Sequence, residues 1–523
     1  MWLHADIKTL GDIPRYYGKV SGEKVALIAG GESRTFKELD QISNRIAHAL
    51  IGEGIPQRSH IGFLGKNSIT YFETLFGANK AGCAILPLNW RLTAAELTLV
   101  IDDARTPLVF ADRDFVPLLK DVQQQCQTKF RIVAFDSVNR TPSEFDTWIA
   151  NCSDRDPQLE VPPQDTALLI YTSGTTGKPK GVQLTHHGLN FQRLCEHLEP
   201  AYQWHPGDVM MLVMPCFHLV GSGLSIQGLY NGATVSILPA MDAGAVIDVI
   251  ERDRPSICCL VPTAIQILIE HPKAATADFS SLRLVMYAGS PIGLPLLKRA
   301  LTTLKCQFMQ FYGATESSGA LTLLRPEQHD LDNEDKLKSC GTPLPLIEIK
   351  VVGPDQQELP QGSIGEFLVR SPTMFSGYWD QPDATAAAME DGWYHTGDAG
   401  FRDAEGLYYI VDRVKDMIVS GGENIYSAEV EQALSKHPAV SQAAVIGVPD
   451  QRWGEKVTAI IVLAAGATAT EEAIIAHCRT LIAGYKVPKT VQFVQSLPMT
   501  PTGKILKRAI RDQFWKKGER AIG

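Results

Sequence analysis

The segment YTSGTTGKPKG, residues 171–181, contains the residue types that bind phosphate groups. Its glycines expose backbone N–H groups, its serine and threonines supply hydroxyl donors, and Lys180 adds a positive charge. It is not a P-loop, because only two residues separate Gly174 from Gly177 and because Pro179 disfavours helix for the lysine before it. A stretch of this composition can equally be a flexible polar loop, so the phosphate hypothesis needs support from the rest of the chain.

Four further motifs follow in the order FYGATE (311–316), YHTGD (394–398), DRVKDMIVSGGENIYSAEVE (412–431) and PTGKILK (501–507). Together with the glycine-rich segment they resemble the adenylate-forming superfamily, which contains acyl-CoA synthetases, adenylation domains of peptide synthetases and luciferases. The resemblance extends over nearly the whole chain, and the motifs in family order are far more specific than any one of them. It implies an enzyme that uses ATP to convert a carboxylic acid to an acyl-adenylate and then passes the acyl group to a thiol.

The implied chemistry brings two anions together, because a carboxylate must attack a phosphate. At ~4 Å and an effective dielectric constant near 20, two unit charges repel by about 4 kcal/mol, so cations and oriented donors must offset the repulsion. The resemblance assigns catalytic roles to Lys504, Glu316 and His218, with Glu316 and Thr172 as Mg²⁺ ligands. Taken alone, a lysine in a Pro/Gly turn is commonly just solvated, and a histidine in an apolar segment is as readily a core residue.

The resemblance also implies ATP and CoA as cofactors. Asp398 would accept hydrogen bonds from ribose hydroxyls, and Tyr312 would stack on adenine. Lys415 occupies the hinge position, at which family members rotate the small domain between the two half-reactions, and residues 420–423 would reach the pantetheine tunnel. The predicted cofactor-binding residues are Thr172, Ser173, Gly174, Thr175, Thr176, Gly177, Lys178, Lys180, Gly289, Ser290, Pro291, Phe311, Tyr312, Gly313, Thr315, Asp398, Arg413, Lys415, Ser420, Gly421, Gly422 and Glu423.

The elements that must position these residues follow an alternating pattern from about residue 24 onward. Short β-rich runs such as KVALIAG, HIGFLG, PLVFAD, ALLIYTSG and LRLVMYAGS are separated by helical stretches such as ITYFETLFGANKAG. This pattern is typical of α/β layers with largely parallel strands that are buried on both faces. Several of the strands lead directly into Gly/Ser/Thr/Pro loops, and ligands in such sheets bind at the carboxyl ends of strands.

Residues 344–411 instead show short alternating strands with Gly/Pro/Asp turns, which predicts a small antiparallel unit. We therefore expect an α/β fold with a large N-terminal domain of two α/β subdomains plus a small β-barrel-like unit, followed by a small, mobile α+β C-terminal domain. The predicted bounds are 1–411 for the N-terminal AMP-binding and acyl-binding domain, 412–416 for the hinge and 417–523 for the C-terminal domain.

Composition excludes several other classes of protein. A net charge of −9 and a pI of about 5.8 argue against a nucleic-acid partner. Ten scattered cysteines without a CxxC pair favour free thiols in a reducing compartment, so we expect a cytoplasmic protein. Residues 209–230 are uncharged, but Pro215, His218 and three glycines interrupt them, so we expect a core segment with a buried strand at 209–213 and no transmembrane segment.

The acid is predicted only by size. Gly221, Ser222 and Gly223 are small, and Phe311 and Tyr312 stand where acetate-specific relatives place a blocking tryptophan. These features favour a medium- or long-chain fatty acid or a comparably bulky acid, and they leave aromatic and steroid-derived acids open.

The acceptor is expected to be CoA, because the chain ends soon after Lys504 and SGGEN resembles the CoA ligases. A stand-alone enzyme that loads a separate carrier protein is the main alternative. A catalytically silent nucleotide-binding relative is disfavoured by the intact Lys504, Glu316 and Asp398. The expected partners are thus a small carboxylic acid, ATP and CoA, and the resemblance also allows a homodimer.

Overall fold

The structure, a computed structural model, describes residues 4–137, 143–172, 179–289, 292–421, 423–499 and 505–515. The strands are β1 Val25–Ala29, β2 Glu32–Thr35, β3 His60–Leu64, β4 Ala84–Leu88, β5 Leu108–Asp112, β6 Arg131–Phe135, β7 Thr166–Thr172, β8 Lys180–Thr185, β9 Val209–Leu212, β10 Thr234–Ile237, β11 Ile257–Leu260, β12 Leu284–Ala288, β13 Gln307–Ala314, β14 Gly319–Leu324, β15 Thr342–Pro343, β16 Glu348–Val352, β17 Gly365–Arg370, β18 Met389–Glu390, β19 Trp393–Arg402, β20 Tyr408–Arg413, β21 Ile418–Ser420, β22 Glu423–Ile425, β23 Val440–Asp450, β24 Gly454–Leu463 and β25 Thr490–Phe493.

The helices are α1 Asp12–Val20, α2 Phe36–Gly52, α3 Ile69–Lys80, α4 Ala94–Ala104, α5 Val116–Gln125, α6 Glu144–Ile149, α7 His186–His197, α8 Leu219–Tyr230, α9 Ala243–Asp253, α10 Pro262–Glu270, α11 Leu294–Leu304, α12 Glu334–Leu337, α13 Pro382–Ala388, α14 Ser427–Ser435, α15 Glu471–Arg479 and α16 Lys507–Arg511. Several begin at side-chain caps that the sequence encodes. Thr35 and Glu38 form a capping box at the start of α2, and Thr93 and Glu96 form another at the start of α4.

Two compact units make up the chain. The first unit comprises Met1–Glu348 and Val369–Tyr394, and the second comprises Ile349–Leu368 and His395–Gly523. The second unit therefore includes part of the antiparallel region before residue 412. Because this division reflects packing and not motion, the predicted boundary after residue 411 and the predicted hinge at 412–416 stay predictions.

The first unit contains two large sheets. The six-stranded sheet has the order β6-β5-β3-β4-β7-β8, with every pair parallel except β7–β8 at the edge. The nine-stranded sheet has the order β15-β14-β13-β12-β11-β9-β10-β1-β2, in which β14, β15 and β2 are antiparallel and the central strands parallel. Strands β3, β4 and β5 are buried at every position, as expected for parallel strands covered on both faces.

The antiparallel region forms a sheet of order β16-β17-β19-β18, with β20 paired to β19. In the second unit, another sheet has the order β22-β21-β24-β23, and β25 joins β24 in parallel. Its core packs against α14 and α15 and includes Val430, Leu434, Val457, Ile461 and Ile474. The predicted α/β architecture, with a large N-terminal part and a smaller C-terminal part, is confirmed.

The uncharged segment 209–230 is divided between two elements, the first of which is the buried strand expected at 209–213. It forms β9 and then α8, with the turn that contains Pro215 and His218 between them. Within the described residues, no helix has the length and apolar character needed to cross a membrane. All ten cysteines are free thiols, and most of them are buried.

Candidate active site

The base of the predicted phosphate loop is a β-hairpin in the first unit. Strand β7 is buried from Ala167 to Ile170 and ends at the carboxyl edge of the six-stranded sheet. The antiparallel strand β8 returns from the loop, so that Thr172 and Lys180 lie opposite each other across the pair. The predicted loop residues between them, Ser173, Gly174, Thr175, Thr176, Gly177 and Lys178, lie outside the described residues.

Glu316 lies in a single 3₁₀ turn, Thr315–Ser317, between β13 and β14. Its Oε1 accepts a hydrogen bond of 2.8 Å from the hydroxyl of Tyr378. The ring of Tyr378 also carries the ammonium group of Lys180, whose Nζ lies 4.6 Å from the ring centroid. Burial, and next the charge of Glu316, raise the pKa of Tyr378, which keeps the phenol a neutral donor. One aromatic side chain thus connects the predicted metal-binding carboxylate to the lysine at the base of the loop.

Thr172 and Glu316 have the chemistry of Mg²⁺ ligands. Mg²⁺ is commonly held by one or two protein oxygens together with phosphate oxygens of the substrate and water, and needs no cage of protein ligands. The described residues contain no group of three or more His, Cys, Asp and Glu side chains that could hold a metal ion. The hydrogen bond from Tyr378 uses Oε1 of Glu316, so Oε2 can ligate a cation. The donor set fits the ion that the resemblance implies.

The FYGATE motif forms the carboxyl end of β13 in the nine-stranded sheet and continues into the turn that contains Glu316. Phe311 is buried and packs on Tyr202, with ring centroids 5.4 Å apart, whereas Tyr312 is partly exposed. A side chain at Gly313 is excluded, because a Cβ there would lie 2.2 Å from the carbonyl oxygen of Gly319 on β14. Gly313 is therefore explained by the close approach of two strands, and nucleotide contact stays a prediction for it.

Strand register places the YAGSP loop beside this motif. Strands β12 and β13 are parallel neighbours in which Ala288 pairs with Phe311, so Gly289 and Tyr312 follow at adjacent strand ends. Gly289 has a φ of +85°, a left-handed conformation that favours glycine. Two other predicted residues of this loop, Ser290 and Pro291, lie outside the described residues.

His218 immediately precedes α8 and is held by neighbouring rings. Its imidazole makes an edge contact with Phe217 at a centroid distance of 4.5 Å. Asn67 fixes the preceding turn, since its amide donates to the carbonyls of Met214 and Leu238 and its oxygen accepts from the N–H of Cys216. The structure therefore supports a fixed position for His218, and its catalytic role stays a prediction.

The expectation that Gly221 and Ser222 leave room for the acid is wrong in its physical reason. A Cβ at Gly221 would lie 2.3 Å from the carbonyl oxygen of Pro215, so the space at that position is filled by backbone. Ser222 is completely buried, and its Oγ hydrogen-bonds to the hydroxyl of Tyr71 at 2.6 Å. These small residues allow α8 to pack closely on the preceding turn.

In the second unit, Asp398 and Arg413 face each other across β19 and β20. The guanidinium Nε of Arg413 lies 2.8 Å from Oδ1 of Asp398, and its Nη1 donates to the carbonyl of Thr396 at 3.1 Å. The side chain of Asp398 is 8% exposed and that of Arg413 is 51% exposed. The two residues that the resemblance assigns to ribose and phosphate thus form one ion pair, in which Arg413 orients the carboxylate.

The predicted hinge residue Lys415 lies in a 3₁₀ turn, Val414–Asp416, directly after β20. Burial lowers the pKa of its ammonium group. Arg511 of α16 donates to the carbonyl of Lys415 at 2.8 Å and to Oδ1 of Asp416 at 2.7 Å. The turn is therefore fastened to the helix that follows PTGKILK.

The predicted tunnel segment forms a hairpin tip in which Ser420 pairs with Glu423. Gly421 has a φ of +63°, and a Cβ on it would lie 2.9 Å from Cε3 of Trp453. Its N–H donates to the carbonyl of Trp453 at 2.8 Å. Gly422 lies outside the described residues. The fold alone accounts for glycine at position 421, and a contact with CoA stays a prediction.

Gly421→Ala is accordingly expected to destabilise the protein more than Gly406→Ala. Both glycines have positive φ, and forcing alanine into that region costs about 1 to 3 kcal/mol, but only Gly421 also faces the Trp453 ring, since no atom lies within 4 Å of a Cβ at Gly406. Thermal unfolding of the two variants checks this. Equal melting temperatures would show that the ring contact does not require glycine.

Lys504 lies outside the described residues, but the chain on either side of it is fixed. Met499 and Ile505 form a β-bridge across the segment. Lys507 follows at the start of α16, where its Nζ donates to Oγ of Ser427 at 2.7 Å and lies 2.8 Å from Oε1 of Glu431. The ends of the predicted catalytic segment are therefore anchored to the second unit.

Sequence reasoning missed the residues that hold the predicted ones in place: Tyr378, Asn67, Lys507 and Arg511. The aromatic and small residues in SGYW (376–379) were a local signal for an ordered segment. Nothing in that segment, however, identifies Glu316 as a partner 62 residues away along the chain.

Known proteins match this chain over most of its length. Residues 16–379 match the model of the AMP-binding enzyme family, and residues 429–504 match that of the AMP-binding enzyme C-terminal domain. A fatty acid–[acyl-carrier-protein] ligase of Streptomyces coeruleorubidus is 35% identical over 99% of both chains. A feruloyl-CoA synthase of an Amycolatopsis species is 36% identical over 97% of this chain and 99% of its own. The structure of o-succinylbenzoate CoA synthetase from Bacillus subtilis, in complex with its acyl-adenylate intermediate, has a TM-score of 0.84 at 29% identity and covers 96% of this chain and 98% of that one.

The fold and these matches together define an adenylate-forming ligase with a large N-terminal part and a smaller C-terminal part. The chain belongs to the AMP-binding enzyme family.

Proposed function

We propose that the protein is an acid–thiol ligase that forms an acyl-adenylate from a carboxylic acid and ATP and then transfers the acyl group to CoA. The observation that carries the proposal is the link between Lys180, Tyr378 and Glu316, which joins the base of the phosphate loop to the cation-binding carboxylate. This arrangement suits a triphosphate whose charge must be offset at two points.

In the first step, a carboxylate oxygen of the acid attacks the α-phosphorus of ATP, and the bond to the bridging oxygen breaks so that pyrophosphate leaves with the electron pair. Lys180 and the N–H groups of the loop bind phosphate oxygens. Glu316 and Thr172 would hold Mg²⁺, which offsets phosphate charge when it is bound. Lys504 would place an ammonium group between the two approaching anions.

In the second step, the CoA sulfur attacks the acyl carbonyl carbon, the thiol proton is lost, and AMP leaves. The proposed C-terminal domain, residues 417–523, would turn at Lys415 between the steps, so that Lys504 moves away and the hairpin tip at 420–423 comes to the thiol. The 3₁₀ turn at Val414–Asp416 supports this position for a hinge, because it directly follows β20. Arg511 of α16 also donates hydrogen bonds to the carbonyl of Lys415 and to the carboxylate of Asp416 in this turn. The domain bounds 1–411 and 417–523 belong to the same proposal.

The acid is proposed to be a medium- or long-chain fatty acid or a similarly bulky acid. The Streptomyces relative that acts on a fatty acid supports this class, and the feruloyl-CoA synthase supports an aromatic acid as the alternative. Because Gly221 and Ser222 are packing residues, the size of the acid no longer follows from them. The preference for a bulky acid therefore rests on Phe311 and Tyr312, which stand where the resemblance places a blocking tryptophan in acetate-specific enzymes.

Loading of a carrier protein is the second candidate function. Its support is the acyl-carrier-protein ligase that is 35% identical to this chain over 99% of its length. The two candidates share the adenylation step and differ only in the thiol that accepts the acyl group. We further propose a cytoplasmic enzyme, to which its free cysteines are suited, and the resemblance allows a homodimer.

A panel of acids tests the proposal and separates the candidates. The panel contains acetate, a medium-chain and a long-chain fatty acid, a cinnamic-type acid and a steroid acid. Pyrophosphate release reports adenylation, and AMP release with CoA or with a phosphopantetheinylated carrier protein reports transfer. The preferred acid should release both products with CoA. AMP release only with the carrier protein selects the second candidate, and an absence of pyrophosphate release with every acid contradicts both.

A further inference from the structure

A five-residue segment, 375–379, lies between the base of the phosphate loop and Glu316. We call it the FSGYW strap after its sequence. At one end, the N–H of Phe375 donates to the carbonyl of Glu316 at 2.7 Å. At the other end, the N–H of Trp379 donates to the carbonyl of Gly181 at 2.7 Å. The strap therefore bridges β8 and the turn of Glu316 through its backbone.

The middle of the strap is paired with β8. The N–H of Ser376 donates to the carbonyl of Gln183 at 3.1 Å, and the N–H of Gln183 donates to the carbonyl of Gly377 at 3.1 Å. The indole of Trp379 donates to the carbonyl of Asp103 at 2.9 Å and makes an edge contact with the His60 ring at a centroid distance of 4.3 Å. The strap is thus an extension of the sheet with little freedom to move.

From this rigid segment, Tyr378 extends one side chain to two functional groups. Its hydroxyl donates to Oε1 of Glu316 at 2.8 Å, and its ring face lies 4.6 Å from Nζ of Lys180. The Phe375 ring packs against it at a centroid distance of 4.9 Å, and only 8% of Tyr378 is exposed. Through these two contacts, the buried phenol fixes the rotamer of the Glu316 carboxylate and holds the Lys180 ammonium group against the face of the ring.

We propose that Tyr378 is a positioning residue for adenylation: its hydroxyl orients Glu316 toward the cation, and its ring orients Lys180 toward the phosphates. This inference rests on the proposed function, because it requires that ATP and Mg²⁺ bind at Glu316. A carboxylate with one oxygen already fixed presents the other in a single orientation, so less freedom is lost when the ion binds.

The two contacts can be removed separately. Tyr378→Phe removes the hydrogen bond to Glu316, together with the one that joins Tyr378 to Tyr394, but keeps the ring beside Lys180, whereas Tyr378→Leu removes both contacts with the site. Tyr409→Phe is the matched control, because that hydroxyl also donates to a carboxylate, Oδ2 of Asp403 at 3.0 Å, in the second unit.

The primary measurement is the Mg²⁺ concentration that gives half-maximal exchange of pyrophosphate into ATP. Loss of a partner of a metal ligand commonly weakens metal affinity roughly 10- to 100-fold, so Tyr378→Phe should need at least about tenfold more Mg²⁺. Thioester formation from supplied acyl-adenylate should be unchanged, since that step transfers no phosphate. Tyr409→Phe should match the wild type in both.

A binding measurement supplies a readout that does not depend on turnover. In calorimetric titrations of ATP into the full chain with EDTA, Tyr378→Phe should bind ATP with the same affinity as the wild type. Tyr378→Leu should bind ATP more weakly, because it lacks the ring that orients Lys180. With Mg²⁺, both variants should bind ATP more weakly. If Tyr378→Leu does not fold, the comparison of Tyr378→Phe with the Tyr409→Phe control still tests whether the Tyr378 hydroxyl positions Glu316.

An unchanged Mg²⁺ requirement in an active Tyr378→Phe variant would falsify the inference and leave the proposed function intact. Equal loss of adenylation and thioester formation would also overturn it, because that result indicates a general structural role. If the wild type itself releases no pyrophosphate with any acid, the proposed function fails instead.

Discussion

Lys504→Ala is expected to abolish most of the acid-dependent exchange of pyrophosphate into ATP, with a loss of about 10²- to 10³-fold or more. The reason is electrostatic. Removal of one oriented donor from the charge-stabilising set of an active site typically costs that much, and Lys504 would be the group that lies between the attacking carboxylate and the α-phosphate. Exchange of labelled pyrophosphate under saturating ATP, Mg²⁺ and acid measures the effect.

The loss should be confined to one half-reaction. Thioester formation from synthetic acyl-adenylate and CoA should continue in Lys504→Ala, because no phosphate is attacked in that step. Lys436→Ala is a suitable control, since it removes the same charge from an exposed position at the end of α14 in the same unit. Full exchange in Lys504→Ala would contradict the catalytic assignment, and loss of both half-reactions would point to disruption of α16 and its anchors instead.

The layers of the fold could be predicted because the apolar composition of its buried strands is visible in the sequence. The runs KVALIAG, HIGFLG and PLVFAD are β1, β3 and β5, and the uninterrupted burial of β3 and β5 is what their apolar composition requires. Local composition was sufficient wherever a strand is buried on both faces.

The division of the chain into units could not be predicted in the same way. The strands that follow residue 344 are short and alternating, and such strands are compatible with several partners. The boundary found by packing passes through β17 and β19, so that Ile349–Leu368 joins the second unit. Which side a short strand packs against depends on contacts distant in sequence, which composition does not record.

At the site, the motifs predicted nucleotide-binding residues, but not the residues that hold them in place. Glu316 and Lys180 stand in recognisable motifs, whereas Tyr378 connects them from a segment outside every motif. Gly221 illustrates the opposite error, since its small size predicts open space at a position that backbone fills. Both errors have one origin, because a sequence gives the type of a residue but not what it faces.

Glu316→Gln tests the cation-binding carboxylate with the smallest change in shape. Glutamine keeps the length of the side chain, and its amide oxygen can still accept the hydrogen bond from Tyr378, so the turn Thr315–Ser317 should stay folded. The negative charge is lost, however, and a neutral amide is a much weaker ligand for Mg²⁺ than a carboxylate. Adenylation at low Mg²⁺ should fall by about 10²-fold, in line with the loss of a group that offsets charge in the transition state.

The dependence on Mg²⁺ separates this result from a general loss of function. Added Mg²⁺ should restore part of the exchange activity of Glu316→Gln, and thioester formation from supplied acyl-adenylate should equal that of the wild type. Glu327→Gln is the matched control, because that glutamate is exposed in another 3₁₀ turn, Pro326–Gln328, of the same unit. If Glu316→Gln exchanges pyrophosphate as the wild type does at every Mg²⁺ concentration, the carboxylate is not a ligand. The contact with Tyr378 would then serve only to close the turn between β13 and β14.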